Sequence, residues 1–201
     1  MSFIGDVKMN KIYYNWDDIE RQCQSIVNQI ARDAWKPDYV VGITRGGNVP
    51  ATIISHMLKV RCEALKVALR DGEECESNCW MSEDAFGAVS YDDKEDLKSR
   101  WDIDLRKNIL VVDDINDTGD TLKWIQRDWQ STCFPNEEYA WGSIWERNVR
   151  FAVLTNNVVS DFDSVSYYAT EINKSEDPSW IVYPWECVGE YRDRVGNYDT
   201  V

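Results

Sequence analysis

Short apolar runs and segments of helical periodicity alternate along this chain. Apolar side chains recur at helical spacing after Asn15, a favourable N-cap, and the pattern stops at Lys36-Pro37, which predicts a first helix. Further helices are predicted to begin at Pro50 and to span residues 122–129. The alternation predicts an α/β fold with a mainly parallel, twisted sheet flanked by helices, in a single domain over residues 1–201. Buried strands are predicted at residues 39–44 and 109–112, an alternating strand at 65–69, and further strands at 151–155 and 165–169.

Two segments interrupt this alternation. Residues 71–108 are polar and acidic without clear periodicity, and residues 131–148 hold four aromatic side chains among polar ones. Segments of this length inside a compact domain are typical of lids, added subdomains or disordered regions. The sequence pattern does not decide among these three.

The net charge of the chain disfavours some classes of binding partner. The chain carries 36 acidic and 22 basic residues, for a net charge of −14. This excess disfavours nucleic acid and anionic membrane surfaces, because both attract clustered lysine and arginine. The first ten residues lack the features of a secretory signal and no apolar stretch is long enough for a membrane span, so we expect a soluble, cytoplasmic protein. Its six cysteines are then expected to be reduced thiols.

The most informative segment is residues 109–121, Ile-Leu-Val-Val-Asp-Asp-Ile-Asn-Asp-Thr-Gly-Asp-Thr. Its four apolar residues predict a buried strand that ends where Asp113 and Asp114 follow. A tight polar loop then leads into a helix, so backbone N–H groups and the helix dipole would form an anion site beside two carboxylates. Carboxylates suit sugar hydroxyls or a divalent cation, and the implied ligand combines phosphate, ribose and metal. An ordinary parallel strand with an acidic turn is the simpler structural alternative.

The order of apolar strand, acidic pair and Asp-Thr-Gly-x-Thr loop resembles the phosphoribosyl-pyrophosphate (PRPP) binding motif of type I phosphoribosyltransferases. Among these, it is closest in motif to the xanthine–guanine and hypoxanthine enzymes. The family transfers ribose 5-phosphate from PRPP to a nitrogen base and releases pyrophosphate. A receiver domain also has a strand ending in paired aspartates, but there the pair lies near the start of a domain of roughly a hundred or more residues. Only 87 residues follow Asp114, so we set the receiver domain aside.

A second motif, Arg45-Gly46-Gly47, follows the strand predicted at residues 39–44. Glycines let a backbone approach a ligand closely, and an arginine there can bind phosphate oxygens. The motif resembles the pyrophosphate loop of the family, which implies pyrophosphate contacts from Arg45 and Gly46. The same resemblance implies a cis peptide bond between Thr44 and Arg45.

The resemblance also implies a role for each polar residue of the first motif. Asp113 and Asp114 would hold the ribose hydroxyls, directly or through Mg2+, with Asp114 as the metal contact, directly or through a water. Asp117 would exchange a proton with the incoming base or orient it. The 5-phosphate would lie in the loop formed by Asp117, Thr118, Gly119, Asp120 and Thr121.

A third motif, Trp-Ile-Val-Tyr-Pro-Trp-Glu at residues 180–186, resembles the C-terminal segment of the xanthine–guanine enzymes. This implies that Trp180 stacks on the base and that the backbone of Ile181 reads its edge. Those relatives carry a lysine after the strand matching residues 151–155, where it recognises the exocyclic oxygen of a 6-oxopurine. Here Asn156-Asn157 stands instead, and Asn157 becomes the candidate base contact. An amide can donate or accept, so the identity of the base stays open.

Three hypotheses about function follow. The leading one is a Mg2+-dependent phosphoribosyltransferase of purine salvage that uses PRPP and a 6-oxopurine. A transferase for a different or modified base is the first alternative, and the missing lysine favours it. The second is a regulatory protein that binds PRPP or a nucleotide without catalysis, although Asp117 and the Arg-Gly-Gly turn are both present. The resemblance further implies a flexible hood at residues 71–108, an insertion at residues 131–148 and a homo-oligomer of two or four chains.

Overall fold

A five-stranded parallel sheet forms the centre of the computed structural model, which describes residues 10–67, 69, 75, 79–88, 102–132 and 138–186. The strand order is β3-β2-β4-β5-β6, and β1 and β7 form a separate two-stranded parallel sheet. The elements are β1 (Lys11–Tyr13), α1 (Trp16–Arg32), β2 (Tyr39–Thr44), α2 (Asn48–Leu58), β3 (Arg61–Lys66), α3 (Cys79–Phe86), β4 (Ile109–Asn116), α4 (Asp120–Thr132), α5 (Glu138–Trp141), β5 (Val149–Asn157), β6 (Val165–Ile172) and β7 (Trp180–Val182). Single turns of 3-10 helix cover Ile103–Leu105 and Pro184–Glu186.

Two hydrophobic layers cover the central sheet, one on each face. Because side chains alternate along a strand, Ile109 and Val111 of β4 pack with α3 and α4, whereas Leu110 and Val112 pack with α1 and α2. All four side chains are completely buried. A parallel sheet covered on both faces accounts for the continuous apolar run that marks this strand in the sequence. The predicted α/β class is confirmed.

The first helix begins as its sequence predicts. The Asn15 side chain accepts a hydrogen bond from the backbone N–H of Asp18, and the Asp18 carboxylate accepts one from the N–H of Asn15. This reciprocal arrangement satisfies two N–H groups that a helix start would otherwise leave without partners. The second helix starts at Asn48, two residues before the predicted Pro50.

The predicted position of β3 is wrong by several residues. The alternation of apolar residues at 65–69 predicts a strand there, whereas the strand spans Arg61–Lys66 and Leu69 is exposed. β3 lies at the edge of the sheet and most of its side chains face solvent, so its first half is polar. The motif strand β4 also extends further than predicted, because its ladder with β5 continues through Asp113 to Asn116.

The sequence analysis did not predict β1. This strand pairs with β7 in register, Lys11 opposite Trp180 and Tyr13 opposite Val182. The N–H of Trp180 donates to the carbonyl of Asn10 at 2.8 Å, and the N–H of Tyr14 donates to the carbonyl of Val182 at 3.0 Å. The start of the described chain therefore holds the third sequence motif in place.

The two irregular segments are described only in part. Within residues 71–108, α3 packs Met81 and Phe86 into the core, and the remainder of the expected hood lies largely outside the described residues. Within residues 131–148, Trp141 and Trp145 stack with ring centroids 5.2 Å apart, and Trp145 also stacks on Trp129. These indoles complete the core beside α4, so the two aromatic side chains of this segment that the structure describes serve packing.

Two further sequence expectations concern thiols and membranes. Four of the six cysteines lie in the described part of the chain, and all four are free thiols (Cys23, Cys62, Cys75 and Cys79). Among the described helices, none combines the length and the apolar character that a membrane crossing requires.

Candidate active site

The carboxyl ends of β2, β4 and β5 bring the sequence motifs to one edge of the sheet. The strand order reverses between β2 and β4, because the chain goes from β2 outward to β3 and then returns to β4 on the other side. The loops after β2 and β4 consequently run in opposite directions and leave a crevice between them. In open α/β sheets such a crevice is where ligands bind. Arg45-Gly46 lies on one side of it and the Asp117–Thr121 loop lies on the other.

Two glycines allow the loop after β2 to pass very close to β4. A Cβ atom on Gly46 would lie 1.8 Å from Oδ2 of Asp114, and one on Gly47 would lie 2.4 Å from the carbonyl oxygen of Val112. The peptide bond between Thr44 and Arg45 is cis, as the resemblance implies. The Arg45 side chain is exposed to solvent, where it can contact an anion in the crevice.

The acidic pair at the end of β4 lies against the C-terminal motif. The N–H of Asp114 donates to the Asp113 carboxylate at 2.9 Å, and the Tyr183 hydroxyl donates to the Asp114 carbonyl at 2.8 Å. Burial raises the pKa of the Asp114 carboxyl to about 6, and the negative charge of Glu186 adds to this shift, although hydrogen bonds from neighbouring groups oppose it. The carboxylates of Asp113, Asp114 and Glu186 therefore lie near one another in this site.

These carboxylates fit a magnesium ion that is shared with a ligand. Hard oxygen donors are what Mg2+ requires, and it is usually bound by one or two carboxylates together with substrate oxygens. Among the residues that the structure describes, no group of three or more acidic, cysteine or histidine side chains could hold a metal by itself. A divalent cation beside Asp113 and Asp114 would favour the charged form of Asp114 and so oppose the effect of burial on its pKa.

The loop between β4 and α4 has the form of an anion cradle. Gly119 adopts φ of +90°, a conformation that side-chain-bearing residues rarely take, and α4 begins at the next residue. The Thr118 hydroxyl donates to the Asp120 carboxylate at 2.8 Å, and both side chains are exposed. N–H groups at the start of this helix point out of its N-terminus, where an anion is stabilised. Thr121 lies in the same first turn.

The Asp117 carboxylate is paired with a lysine that the sequence analysis did not single out. Lys174, just after β6, places its Nζ atom 2.8 Å from Oδ1 of Asp117. Both side chains are about one-fifth exposed, so the pair is sheltered but accessible. Lys174 also lies near the predicted base platform, since its Nζ atom is 5.8 Å from the centroid of the Trp180 ring.

Asn157 connects the loop of Asp117 to the backbone of Lys174. Its amide nitrogen donates to the carbonyl of Asp117 at 2.9 Å, and its amide oxygen accepts from the N–H of Lys174 at 3.1 Å. The side chain is only 5% exposed. Both polar groups of the Asn157 side chain thus bind the backbone of the site, and the base contact predicted from Asn157 stays a prediction.

The C-terminal motif presents one aromatic face to solvent. Trp180 is 42% exposed, whereas Ile181 is buried and fixes the strand to the core. Trp185 stacks on Tyr183 with centroids 4.9 Å apart and rings nearly parallel, so it serves packing. An exposed indole on an otherwise well-packed strand is suited to stacking against a planar ligand.

The geometry agrees with comparisons to known proteins. The family model for the phosphoribosyl transferase domain matches residues 9–187. This chain belongs to that family. Within the family it is 26% identical to the hypoxanthine-guanine phosphoribosyltransferase of Schizosaccharomyces pombe, over 88% of this chain and 89% of that protein. It is also 26% identical to the xanthine-guanine phosphoribosyltransferase of Cereibacter sphaeroides, with 89% of each chain covered.

Solved structures support the phosphoribosyltransferase fold. A purine phosphoribosyltransferase from Pyrococcus horikoshii Ot3 superposes with a TM-score of 0.56 at 23% identity, covering 89% of this chain and 95% of that one. A xanthine-guanine-hypoxanthine phosphoribosyltransferase from Helicobacter pylori gives a TM-score of 0.61 at 17% identity, covering 92% and 99%. At these identities the likeness shows the type I phosphoribosyltransferase fold.

Two residues that make contacts at the candidate site were not singled out in the sequence analysis. Lys174 is the last lysine in the chain and stands six residues before Trp180, which is a usable signal once β6 and β7 are known to end at the site. The role of Tyr183 depends on its hydroxyl reaching the backbone of Asp114 and, at 2.9 Å, the hydroxyl of Thr155. Contacts between segments so distant in the chain leave no local pattern.

The raised pKa of Asp114 predicts a stability cost that depends on pH. The unfolded chain ionises this carboxyl near 3.8 and the folded chain near 6, so ionisation favours unfolding as the pH rises from about 4 to 6. We expect Asp114→Asn, without ligand, to raise the free energy of unfolding at pH 7.5 by about 1–3 kcal/mol. Thermal melts at pH 7.5 and pH 4 should show this gain at pH 7.5 and little of it at pH 4.

The matched control for this experiment is Asp161→Asn, which removes an exposed carboxylate. For this control, the change in melting temperature should be the same at pH 7.5 and at pH 4. A stability gain for Asp114→Asn that persists undiminished at pH 4 would contradict the electrostatic explanation.

Proposed function

We propose that this protein transfers the 5-phosphoribosyl group of PRPP to a 6-oxopurine and releases pyrophosphate, as an enzyme of purine salvage. The observation that carries the proposal is the meeting of three motifs at one sheet edge: Arg45-Gly46, the Asp113–Asp114 pair with the Asp117–Thr121 loop, and the exposed Trp180. The named activities of the relatives in Schizosaccharomyces pombe and Cereibacter sphaeroides support the same substrate class.

The three parts of PRPP match three parts of the crevice. The 5-phosphate binds in the Asp117–Thr121 loop at the N-terminus of α4, where backbone N–H groups and the hydroxyls of Thr118 and Thr121 are the proposed donors. Asp113 and Asp114 accept hydrogen bonds from the ribose hydroxyls. The pyrophosphate binds at Arg45 and the backbone of Gly46, on the opposite side of the crevice.

The chemistry is displacement at the anomeric carbon of the ribose. Positive charge develops on the sugar and negative charge on the departing pyrophosphate, so the protein must align the reactants and stabilise both charges. Bound Mg2+ would neutralise part of the pyrophosphate charge. Arg45 supplies charge from the protein itself, and the carboxylates of Asp113 and Asp114 face the sugar.

The nucleophile is a ring nitrogen of the base, held between Trp180 and Asp117. Stacking on the exposed indole contributes about 1–3 kcal/mol and fixes the plane of the base. The Asp117 carboxylate accepts the proton that the attacking nitrogen loses, or orients that nitrogen toward the sugar. Asn157 positions Asp117 through its backbone carbonyl.

A panel of bases tests the proposed activity. Pyrophosphate release is measured with PRPP, Mg2+ and one base at a time: guanine, xanthine, hypoxanthine, adenine, uracil or orotate. We expect turnover with 6-oxopurines, and we expect Mg2+ removal to abolish it. Turnover with another base alone would support a transferase of different specificity. PRPP binding without turnover on any base would support a regulatory protein instead.

The cytoplasmic location, the single domain over residues 1–201, the hood at residues 71–108 and the homo-oligomer stay predictions. Each accords with the proposed activity. A hood would exclude water, which otherwise competes with the base for PRPP.

A further inference from the structure

We infer that Lys174 selects the base by donating a hydrogen bond to the keto oxygen at position 6 of the purine. The inference rests on the proposed function and names the group that gives it specificity. It follows from three features of Lys174: the position of its ammonium, the hydrogen bonds that fix its backbone, and the fact that an ammonium group only donates hydrogen bonds.

The ammonium of Lys174 lies between the two groups proposed to hold the base. It is 2.8 Å from Oδ1 of Asp117 and 5.8 Å from the centroid of the Trp180 ring. A base stacked on Trp180 would lie closer to that ring than the ammonium does, since stacked rings have centroids from about 4.5 Å apart. The ammonium therefore lies over the face of the indole, beside the volume that the base would fill and within reach of its exocyclic groups.

The backbone around Lys174 is fixed by several hydrogen bonds. Its own N–H donates to the buried Asn157 side chain at 3.1 Å. The preceding residue, Asn173, accepts from the N–H of Ser175 at 3.1 Å through its side chain and from the N–H of Asp177 at 2.9 Å through its carbonyl. The Lys174 side chain is 18% exposed, against 43% for the ion-paired Lys107 elsewhere on the molecule. Its position is set before any ligand arrives.

An ammonium discriminates between a keto and an amino group. It has three N–H donors and no acceptor. One donor is used by Asp117, and another can reach a keto oxygen at the rim of the base. The exocyclic amino group of adenine is itself a donor, so it would meet Lys174 without forming a bond. The neutral Asn157 amide could have served either group, but its polar atoms bind the backbone.

Lys174 thereby supplies a cation to the site, whereas the segment directly after β5 contains no lysine or arginine. The residues at the end of β5 are Asn156 and Asn157, and the side chain of Asn156 accepts a hydrogen bond from Asn116. The ammonium instead reaches the site from the turn that follows β6. A lysine on the neighbouring strand can serve the same edge of the sheet, because parallel strands end together.

Binding of nucleoside monophosphates tests this inference without requiring turnover. Inosine and adenosine monophosphate differ at position 6 and in the hydrogen on the adjacent ring nitrogen. We expect Lys174→Met to weaken inosine monophosphate about 10- to 100-fold, the loss typical of a charged hydrogen bond, and to change adenosine monophosphate less than about threefold. Lys174→Arg, which keeps the donors, should retain a preference for inosine monophosphate. Calorimetric titration of the unmodified protein and both variants with each nucleotide measures all six affinities.

Lys107→Met is the matched control, because Lys107 also pairs with a carboxylate, Asp84, at 2.7 Å but lies away from the crevice. It should leave both affinities unchanged. Steady-state kinetics adds a second measurement: Lys174→Met should raise KM for hypoxanthine and leave KM for PRPP unchanged. Thermal melts confirm that each variant is folded.

The outcomes separate the inference from the function on which it rests. Equal losses for both nucleotides would mean that Lys174 acts only through Asp117, and this would overturn the inference. Unchanged affinities would overturn it as well, with the phosphoribosyltransferase intact. If the unmodified protein binds neither PRPP nor either nucleotide, the proposed function itself fails, and the inference fails with it.

Discussion

Adding one methyl group at Gly46 is expected to lower turnover at least about a hundredfold while the protein remains folded. The new Cβ would lie 1.8 Å from Oδ2 and 2.5 Å from Cγ of Asp114, so the carboxylate must move away from the crevice. A displacement of about 1 Å at a reacting centre is enough for a loss of that size. The displaced group is the end of a side chain, which can rotate, so the core is spared. Pyrophosphate release and a thermal melt on Gly46→Ala measure both effects.

Gly47→Ala is the matched control, because the same methyl group there meets backbone. Its Cβ would lie 2.4 Å from the carbonyl oxygen of Val112 and 2.8 Å from the Cα of Asp113, and neither can rotate away. We expect this variant to lose several degrees of thermal stability, in line with overpacking costs of about 1–3 kcal/mol or more. If Gly46→Ala kept normal turnover, the Asp114 carboxylate would not be part of the site.

Removing the Asp117 carboxylate is expected to reduce kcat by about a hundred- to ten-thousandfold, the range for general acid–base groups. PRPP affinity should change only a few-fold, because in the proposed complex the 5-phosphate is held by the backbone of the loop and the start of α4. Asn157 holds the backbone carbonyl of Asp117, so the loop keeps its anchor in Asp117→Ala. Single-turnover kinetics and PRPP titration on the same preparation separate the two quantities.

Asp161→Ala controls for general loss of negative charge near the loop, since Asp161 is exposed and pairs with Lys123 at 3.4 Å. It should leave kcat unchanged. Asp117→Asn adds a test of chemistry against shape, because it keeps the side-chain volume and removes the proton acceptor. An equal collapse of PRPP binding and turnover in Asp117→Ala would make Asp117 a structural residue of the loop.

The elements around the candidate site that the sequence predicts correctly are those in which a continuous segment carries the whole signal. The strand β4, the loop with Gly119 and the helix α4 follow one another within residues 109–132, so periodicity and loop composition sufficed to predict them. The capped start of α1 was equally local, since Asn15 and Asp18 are three residues apart. Arg45-Gly46 could be predicted as a ligand-binding turn because a predicted strand directly precedes it.

The parts that could not be predicted depend on neighbours from elsewhere in the chain. The edge strand β3 has too few buried positions to produce a full alternation, so its apolar residues indicated the wrong bounds. Lys174 pairs with Asp117, which lies more than 50 residues earlier in the chain. The Asn157 side chain is hydrogen-bonded to the backbone of Asp117 and of Lys174, and the sequence around Asn157 does not indicate either partner. Strand β1 has three exposed residues, and only its pairing with β7 makes it a strand.

The two-stranded sheet of β1 and β7 makes the placement of Trp180 a late event in folding. Its three-residue strands close a loop that contains nearly all of the described chain, whereas the loop between β4 and α4 closes within a few residues. A two-stranded unit is marginal by itself, so it depends on Ile181 and Tyr183, which pack into the core of the central sheet. We therefore expect the proposed base platform to form only after the central sheet has assembled.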